Sequence, residues 1–237
     1  MLVASLELHN CKIIIASLEF DNCKLVIAIS VFERRSMTII KNHNSKLGKL
    51  IGNINMPTST CRSDAPCKQI CYARKGHFVF KNVRQSFDNT YSLFLSDSKR
   101  FFDQINAELL VTPYSYVRWH SIGDIPNSDY LAGMVRVARH NRNTKFLCFT
   151  KQYEIVNAFI ENGGKIPPNL IIVFSNWGDW RCDNPHNLPT AWIKFRNCET
   201  EIPDNAVECS GFCGACVNTK SSCWRLKKGG AVYFHQH

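Results

Sequence analysis

YSYVRWHS at residues 114–121, KFLCFT at 145–150 and NLIIVFSN at 169–176 are three short runs rich in β-branched and aromatic residues. Two segments with helical spacing separate them. Asn127 and Ser128 can cap a helix running to His140, with Leu131, Met134, Val135 and Ala138 on one face. A second helix is predicted over 152–162, bearing Tyr153, Val156 and Ile160, and Gly163-Gly164 supplies its stop. The third run is almost continuously apolar, as a strand buried on both faces should be. This β-α-β-α-β order calls for right-handed crossovers and a parallel sheet. The chain is therefore predicted to be an α/β protein of parallel β/α units, forming a partial barrel or an open sheet.

Upstream, residues 82–110 read as helix. Val83, Phe87, Tyr91 and Phe94 keep helical spacing, Ser96-Asp97-Ser98 offers a break and a fresh N-cap, and Phe101, Phe102, Ile105 and Leu109 follow. Their periodicity makes these aromatics core rather than base-stacking platforms. Residues 4–27 carry a 12-residue repeat, ASLELHNCKIII and then ASLEFDNCKLVI, which suits short strands with turns at His9-Asn10 and Asp21-Asn22. Two copies are few for a self-supporting stack. Residues 1–36 are read either as an edge hairpin on the main domain or as a translated upstream segment ahead of a start at Met37, the second being favoured. On both readings Cys11 and Cys23 are repeat positions rather than ligands. Residues 37–237 form one α/β domain. Beyond Trp177, Pro185, Pro189 and Pro203 mark 178–237 as an irregular, loop-rich, cysteine-rich lobe, with AVYFHQH (231–237) as a final strand.

The 237 residues are 45% hydrophobic and 11% aromatic, enough for a sizeable core. No run reaches the 18 or so apolar residues of a membrane helix. Glu7, His9, Lys12, Glu19, Asp21 and Lys24 interrupt the N-terminal apolar runs too often for a signal peptide, so a cytoplasmic location is the default. Twelve cysteines without a secretory signal point to reduced thiols and metal rather than disulfides. The net charge is +10, and residues 1–36 balance to zero, so the excess belongs to 37–237. That suits nucleic acid or another polyanion as partner, although no run of five Lys or Arg marks a place for it.

Two cysteine arrays carry the chemistry. TCRSDAPCKQICYARKG (60–76) places Cys61, Cys67 and Cys71 within eleven residues, followed by Arg74 and Lys75, whose charges are expected to favour the thiolate form that binds metal. CSGFCGACVNTKSSCW (209–224) holds Cys209, Cys213, Cys216 and Cys223 as C-x3-C-x2-C-x6-C. Four thiolates satisfy one tetrahedral zinc or an iron–sulfur cluster, and spacing alone does not separate these. Alternatively three of the four bind and one is structural, with Cys182 and Cys198 as substitutes; Cys148, mid-strand, reads as core. Ligands of parallel α/β folds sit at the carboxyl ends of strands. That rule gathers His120, Ser121, Gly123 and Asp124 after the first run, Thr150 and Lys151 after the second, and Ser175, Asn176 and Trp177 after the third. From this rim His120, Asp124 and Lys151 are the candidate catalytic residues, and Gly123, Asp124, Thr150 and Asn176 the candidate cofactor-binding ones. Gly163-Gly164-Lys165 lacks the spacing of a phosphate-binding loop, and neither G-x-S-x-G nor H-E-x-x-H occurs.

Several short motifs resemble a known family. NSKLGK at Asn44–Lys49, Thr60-Cys61, Cys71–Ala73, R-x-H-x-x-G-D at Arg118–Asp124 and Thr150-Lys151 are similar to the phage gene product 88 family, and Cys213, Cys216, Cys223 and V-x-F-x-x-H at Val232–His237 extend the likeness. It runs from about Met37 to the end. The family carries no assigned activity, so the resemblance implies phage or prophage origin. A looser likeness in layout is to the radical S-adenosylmethionine enzymes: three cysteines, a helix, a strand ending in Gly-Asp, then further βα units. That resemblance implies a [4Fe–4S] cluster on Cys61, Cys67 and Cys71, Asp124 as acceptor for the amino group of S-adenosylmethionine, and an auxiliary cluster on Cys209–Cys223.

Three functions follow. The leading one is an iron–sulfur, radical S-adenosylmethionine-like enzyme of unknown substrate. The alternative is a zinc-stabilised, non-enzymatic protein that binds nucleic acid or a host factor through its basic surface. A hydrolase or transferase using His120 and Asp124 without metal leaves the first array unexplained.

Overall fold

The computed structural model describes residues 3–8, 11–20, 23–31, 37–42, 46–196 and 200–236, the first three segments by backbone alone. Two compact units divide the chain, Met1–Thr38 and Ile39–His237. In the first, the repeats form strands β1 (Val3–Leu8), β2 (Cys11–Phe20) and β3 (Cys23–Val31), paired antiparallel in that order. The register sets Val3 against Ala16 and Lys12 against Val31. The expected turns at His9-Asn10 and Asp21-Asn22 lie outside the described residues.

The second unit is built on a seven-stranded parallel sheet. Its strands are β4 (Ile51–Ile54), β5 (Tyr116–Trp119), β6 (Lys145–Thr150), β7 (Leu170–Ser175), β8 (Thr190–Lys194), β9 (Ala206–Glu208) and β10 (Ala231–His235), in the order β4-β5-β6-β7-β8-β10-β9. The predicted helices are present: α1 (Lys81–Ser96) and α2 (Ser98–Val111) between β4 and β5, α3 (Ser128–His140) before β6, and α4 (Tyr153–Glu161) before β7. Asp97 caps α2 by accepting from the Arg100 amide at 2.9 Å, and Asn127 caps α3 by accepting from the Tyr130 amide at 2.9 Å.

Strand order explains the layering. Each step from β4 to β8 moves the same way across the sheet, so right-handed crossovers put every helix on one face. Val117 and Trp119 of β5, Phe146 and Cys148 of β6, and Leu170, Ile172 and Phe174 of β7 meet that helical layer. Phe94, Phe101, Phe102 and Tyr130 form an aromatic knot within it, with ring centroids 4.9–6.1 Å apart. Gly133 on α3 is required there, because a Cβ would come within 2.0 Å of the Phe102 ring. The step from β9 back to β10 runs the other way, so the same handedness sends residues 209–230 across the opposite face. Val217, Cys223 and Trp224 there cover Leu147, Val173 and Val232, with Cys209, Cys213 and Leu226 packed alongside.

The cysteine-rich C-terminal region is present as expected, and beyond Trp177 the chain also extends the sheet. The segment contributes β8, β9 and β10 to the main sheet and then serves as its second covering layer. The segment carrying Ile39 and Ile40 is held to α2 by the Glu108 carboxylate, which accepts from both amides at 2.7–3.1 Å. Among the described residues no helix is long and apolar enough to cross a membrane.

Candidate functional site

The first cysteine array begins at the carboxyl end of β4, which IGNI at 51–54 did not announce in the sequence. It is a chain of 3-10 turns, Thr58–Thr60, Pro66–Ile70, Tyr72–Arg74 and Gly76–Val79, with Cys67 inside the second and Cys61 and Cys71 at turn boundaries. Three ties fasten this loop to the rim of the neighbouring strands. Thr60 Oγ1 accepts from the Asp124 amide at 2.9 Å, and the Thr60 carbonyl accepts from Gln152 Nε2 at 3.1 Å. The Arg62 guanidinium pairs with Asp64 at 2.9 Å and with Glu154 of α4, and stacks 5.4 Å over the Trp180 ring. The Tyr72 hydroxyl donates to the Ser121 carbonyl.

The rim is equally constrained. Gly123 has φ +81°, and a Cβ would meet Met56 backbone at 2.6 Å, so β4 and β5 can converge only because this residue has no side chain. The buried Asp124 carboxylate takes the Thr150 hydroxyl at 2.5 Å, the Lys151 amide at 2.9 Å and its neighbour Ile125 amide at 2.8 Å. It clasps the end of β5 to the end of β6. Burial raises its pKa, and those three donors oppose the shift. His120 adopts φ +56°, uncommon for a residue other than glycine, with its Nε2 3.1 Å from the Tyr130 hydroxyl and its Nδ1 3.6 Å from Cys148 Sγ. Burial, aided by the Arg118 charge, pushes its pKa down to about 3, so the ring is neutral with both nitrogens engaged.

Loop and rim enclose a half-open cavity of about 220 Å³. Cys61, Cys67 and Cys71 line it together with Arg118, His120, Gly123, Asp124, Thr150, Lys151 and Ser175. Of the predicted site residues, Asn176 stands apart. It is buried, and its Oδ1 accepts from the Cys182 amide at 2.7 Å, a turn-fixing role outside this lining. Arg118 and Lys151 are the cations of the lining that make no ion pair among the described residues. Arg118 lies 4.2 Å over the Phe149 ring and Lys151 Nζ 5.8 Å from the Trp177 ring. Arg118 entered the sequence reading only as part of a motif, although strand alternation would have turned it away from the helices, opposite Val117 and Trp119.

The electrostatics differ from expectation. Arg74 and Lys75 are exposed and are not among the leading charges acting on Cys61 and Cys67. Burial dominates instead: it pushes Cys61 up to about 12, with Asp124 and the neighbouring thiols adding and Lys68 opposing. Cys67 is raised by burial too, with Lys151 opposing. Across the sheet, burial pushes Cys223 up to about 12 and raises Cys213, with Arg118 opposing in both. Cys209 and Cys216 belong to the same neighbourhood, for their charges act on both thiols. Cys182 packs against the helical layer, on the other face from this array, and so does not substitute in it. Cys198 lies outside the described residues. Among the described residues, no three His, Cys, Asp or Glu side chains converge as ligands of one metal ion.

The sequence model described as Gene product 88 matches residues 31–216, which takes in β4, the first array, the whole rim and three cysteines of the second. The chain belongs to the gene product 88 family. No curated protein and no solved structure matches it. Within this gene product 88 protein the matched stretch stops before Cys223 and β10.

Proposed function

We propose that this gene product 88 protein is an iron–sulfur enzyme of radical S-adenosylmethionine-like design, with Cys61, Cys67 and Cys71 as cluster ligands. One observation carries the reading: three thiols from a single loop share a cavity with the carboxyl ends of β5, β6 and β7. The loop follows β4 at one edge of a sheet wound in sequential order, where parallel folds place their ligands. A cluster on this loop needs three thiolates around one shared space, and Cys61, Cys67 and Cys71 line one cavity of about 220 Å³. Such a cluster, when bound, supplies one-electron chemistry to a bound cofactor.

The rest is the work of the chain. Thr60, Arg62 and Tyr72 hold the cysteine loop against the rim, and Asp124 locks β5 to β6 beneath it. Because three protein donors already occupy the Asp124 carboxylate, its proposed role is positioning rather than capture of an amino group. Arg118 and Lys151, without carboxylate partners, are the groups to hold a ligand carboxylate. The turn at Gly123 presents main chain to the cavity where no side chain fits. His120, neutral and engaged at both nitrogens, shapes the wall and takes no proton at physiological pH. The array of Cys209, Cys213, Cys216 and Cys223 is proposed as a second metal site that staples a layer with no helix longer than one turn between 209 and 230.

The test is iron and sulfide analysis of the full chain purified without oxygen, beside a Cys61→Ala/Cys67→Ala/Cys71→Ala variant. The reading expects roughly four iron and four sulfide per cluster in the parent, with one cluster fewer in the variant. A colourless parent with about one or two zinc ions overturns it in favour of the zinc-stabilised alternative.

A further inference from the structure

A second cavity, of about 260 Å³, adjoins the first and shares Thr58, Ala73 and Ile122 with it. Its remaining wall is of different chemistry. Arg74 from the cysteine loop and Arg84 from the first turns of α1 enter it, with Phe78 and Phe87 beside them and Asp88 as the one carboxylate in the lining. Neither arginine makes an ion pair among the described residues, and both are exposed. Two guanidiniums against one carboxylate leave the cavity cationic. Asp88 offers an acceptor to an amino group.

The surroundings continue the pattern. Lys75 and Lys81 are exposed at the same loop and helix start, and Tyr72 and Phe80 are 54% and 59% exposed. The first turn of α1 holds no acidic residue, and its N-cap, Phe80, makes no side-chain cap. Cations at the positive end of a helix repel it unless an anion sits between them. Alternating cations and exposed aromatic rings are what single strands of nucleic acid bind: guanidiniums take phosphates, and rings stack on bases.

We propose that this cavity and its rim bind a single-stranded nucleic acid, with Arg74 and Arg84 on backbone phosphates and the aromatic rings against bases. The cofactor of the cluster reading has one carboxylate, for which Arg118 and Lys151 of the first cavity are already placed, so it does not explain Arg74 and Arg84. A free mononucleotide would fill the cavity yet leave the exposed Lys75, Lys81 and Phe80 beside it without a role. That the bound strand is also the substrate rests on the proposed cluster site. Binding itself does not.

The experiment is fluorescence anisotropy of the full chain with a short labelled single strand of mixed sequence, made as DNA and as RNA, titrated between about 50 and 200 mM salt. Arg74→Gln/Arg84→Gln should weaken binding about tenfold or more. It should also lower the log–log salt slope by about 1.4, since each phosphate contact on a single strand contributes about 0.7. Lys227→Gln/Lys228→Gln removes the same charge at exposed positions outside both linings and should weaken binding less than about twofold. Arg74→Lys/Arg84→Lys should keep most of the salt slope, and circular dichroism melting checks that each variant is folded. Equal loss in both glutamine pairs overturns the assignment, because net charge alone would then account for binding. So does absence of binding at low salt, or a mononucleotide competing as well as the strand at equal nucleotide concentration. The readout needs no iron: a colourless protein that binds as described contradicts the cluster reading alone.

Discussion

Replacing Asp124 by alanine removes the acceptor of three hydrogen bonds, from the Thr150 hydroxyl, the Lys151 amide and the Ile125 amide. The hydroxyl can rotate to another acceptor, but the two amides cannot. A donor left unsatisfied in a buried place costs about 1–3 kcal/mol, so the variant should lose roughly 2–6 kcal/mol. Against a domain stability on the order of 5–15 kcal/mol that is a large share. Asp124→Asn retains one oxygen and turns its amide nitrogen toward one of the donors, so about 1–3 kcal/mol is expected. Urea unfolding followed by tryptophan fluorescence measures both losses. Amide hydrogen exchange at Ile125 and Lys151 locates them. A loss below about 1 kcal/mol for alanine, or unchanged protection of those two amides, would refute the view that this carboxylate clasps β5 to β6.

Gly123→Ala should destabilise by more than the roughly 1–2 kcal/mol of a left-handed residue, since its Cβ also meets Met56 backbone at 2.6 Å; a thermal melt within about 1 °C of the parent contradicts this. His120 is held at about 3 against an ordinary value of 6.5, so the unfolded chain binds a proton that the folded chain refuses between those values. Its contribution is intact above pH 6.5 and lost as pH falls toward 3, by about 1.4 kcal/mol per pH unit, and His120→Asn should reduce the pH slope of the urea-unfolding free energy between pH 6 and pH 4 by about that amount. Glu108→Ala strips the acceptor from the Ile39 and Ile40 amides and should cost about 2–6 kcal/mol, read as early exchange of those two amides before global unfolding.

The parts legible in the sequence are those whose signals are local. The runs that became β5, β6 and β7, the caps at Asp97 and Asn127, and the amphipathic faces of α2 and α3 each declare themselves within about fifteen residues. β4 escaped because IGNI is short and its Gly52 marks close approach rather than strand: a Cβ there would lie 2.8 Å from Ile40. β8 and β9 escaped because their partner β10 comes at the end of the chain, so nothing beside TAWIK or AVE foretells pairing. The strand-end rule gathered His120, Asp124, Thr150 and Lys151 correctly into one neighbourhood. It could not foresee that both His120 nitrogens and both Asp124 oxygens are engaged within the protein, for that depends on Tyr130, Cys148 and the α4 entry. The charge reading met a similar limit. Arg74 and Arg84 belong to no run of basic residues, and only the fold brings them into the lining of one cavity.

The most direct test of the account is the electron paramagnetic resonance spectrum of the full chain, reduced without oxygen, before and after addition of S-adenosylmethionine. The account predicts a cluster signal that changes when the cofactor is added and disappears in the Cys61→Ala/Cys67→Ala/Cys71→Ala variant. No signal, or one that neither the cofactor nor the triple substitution alters, would contradict it.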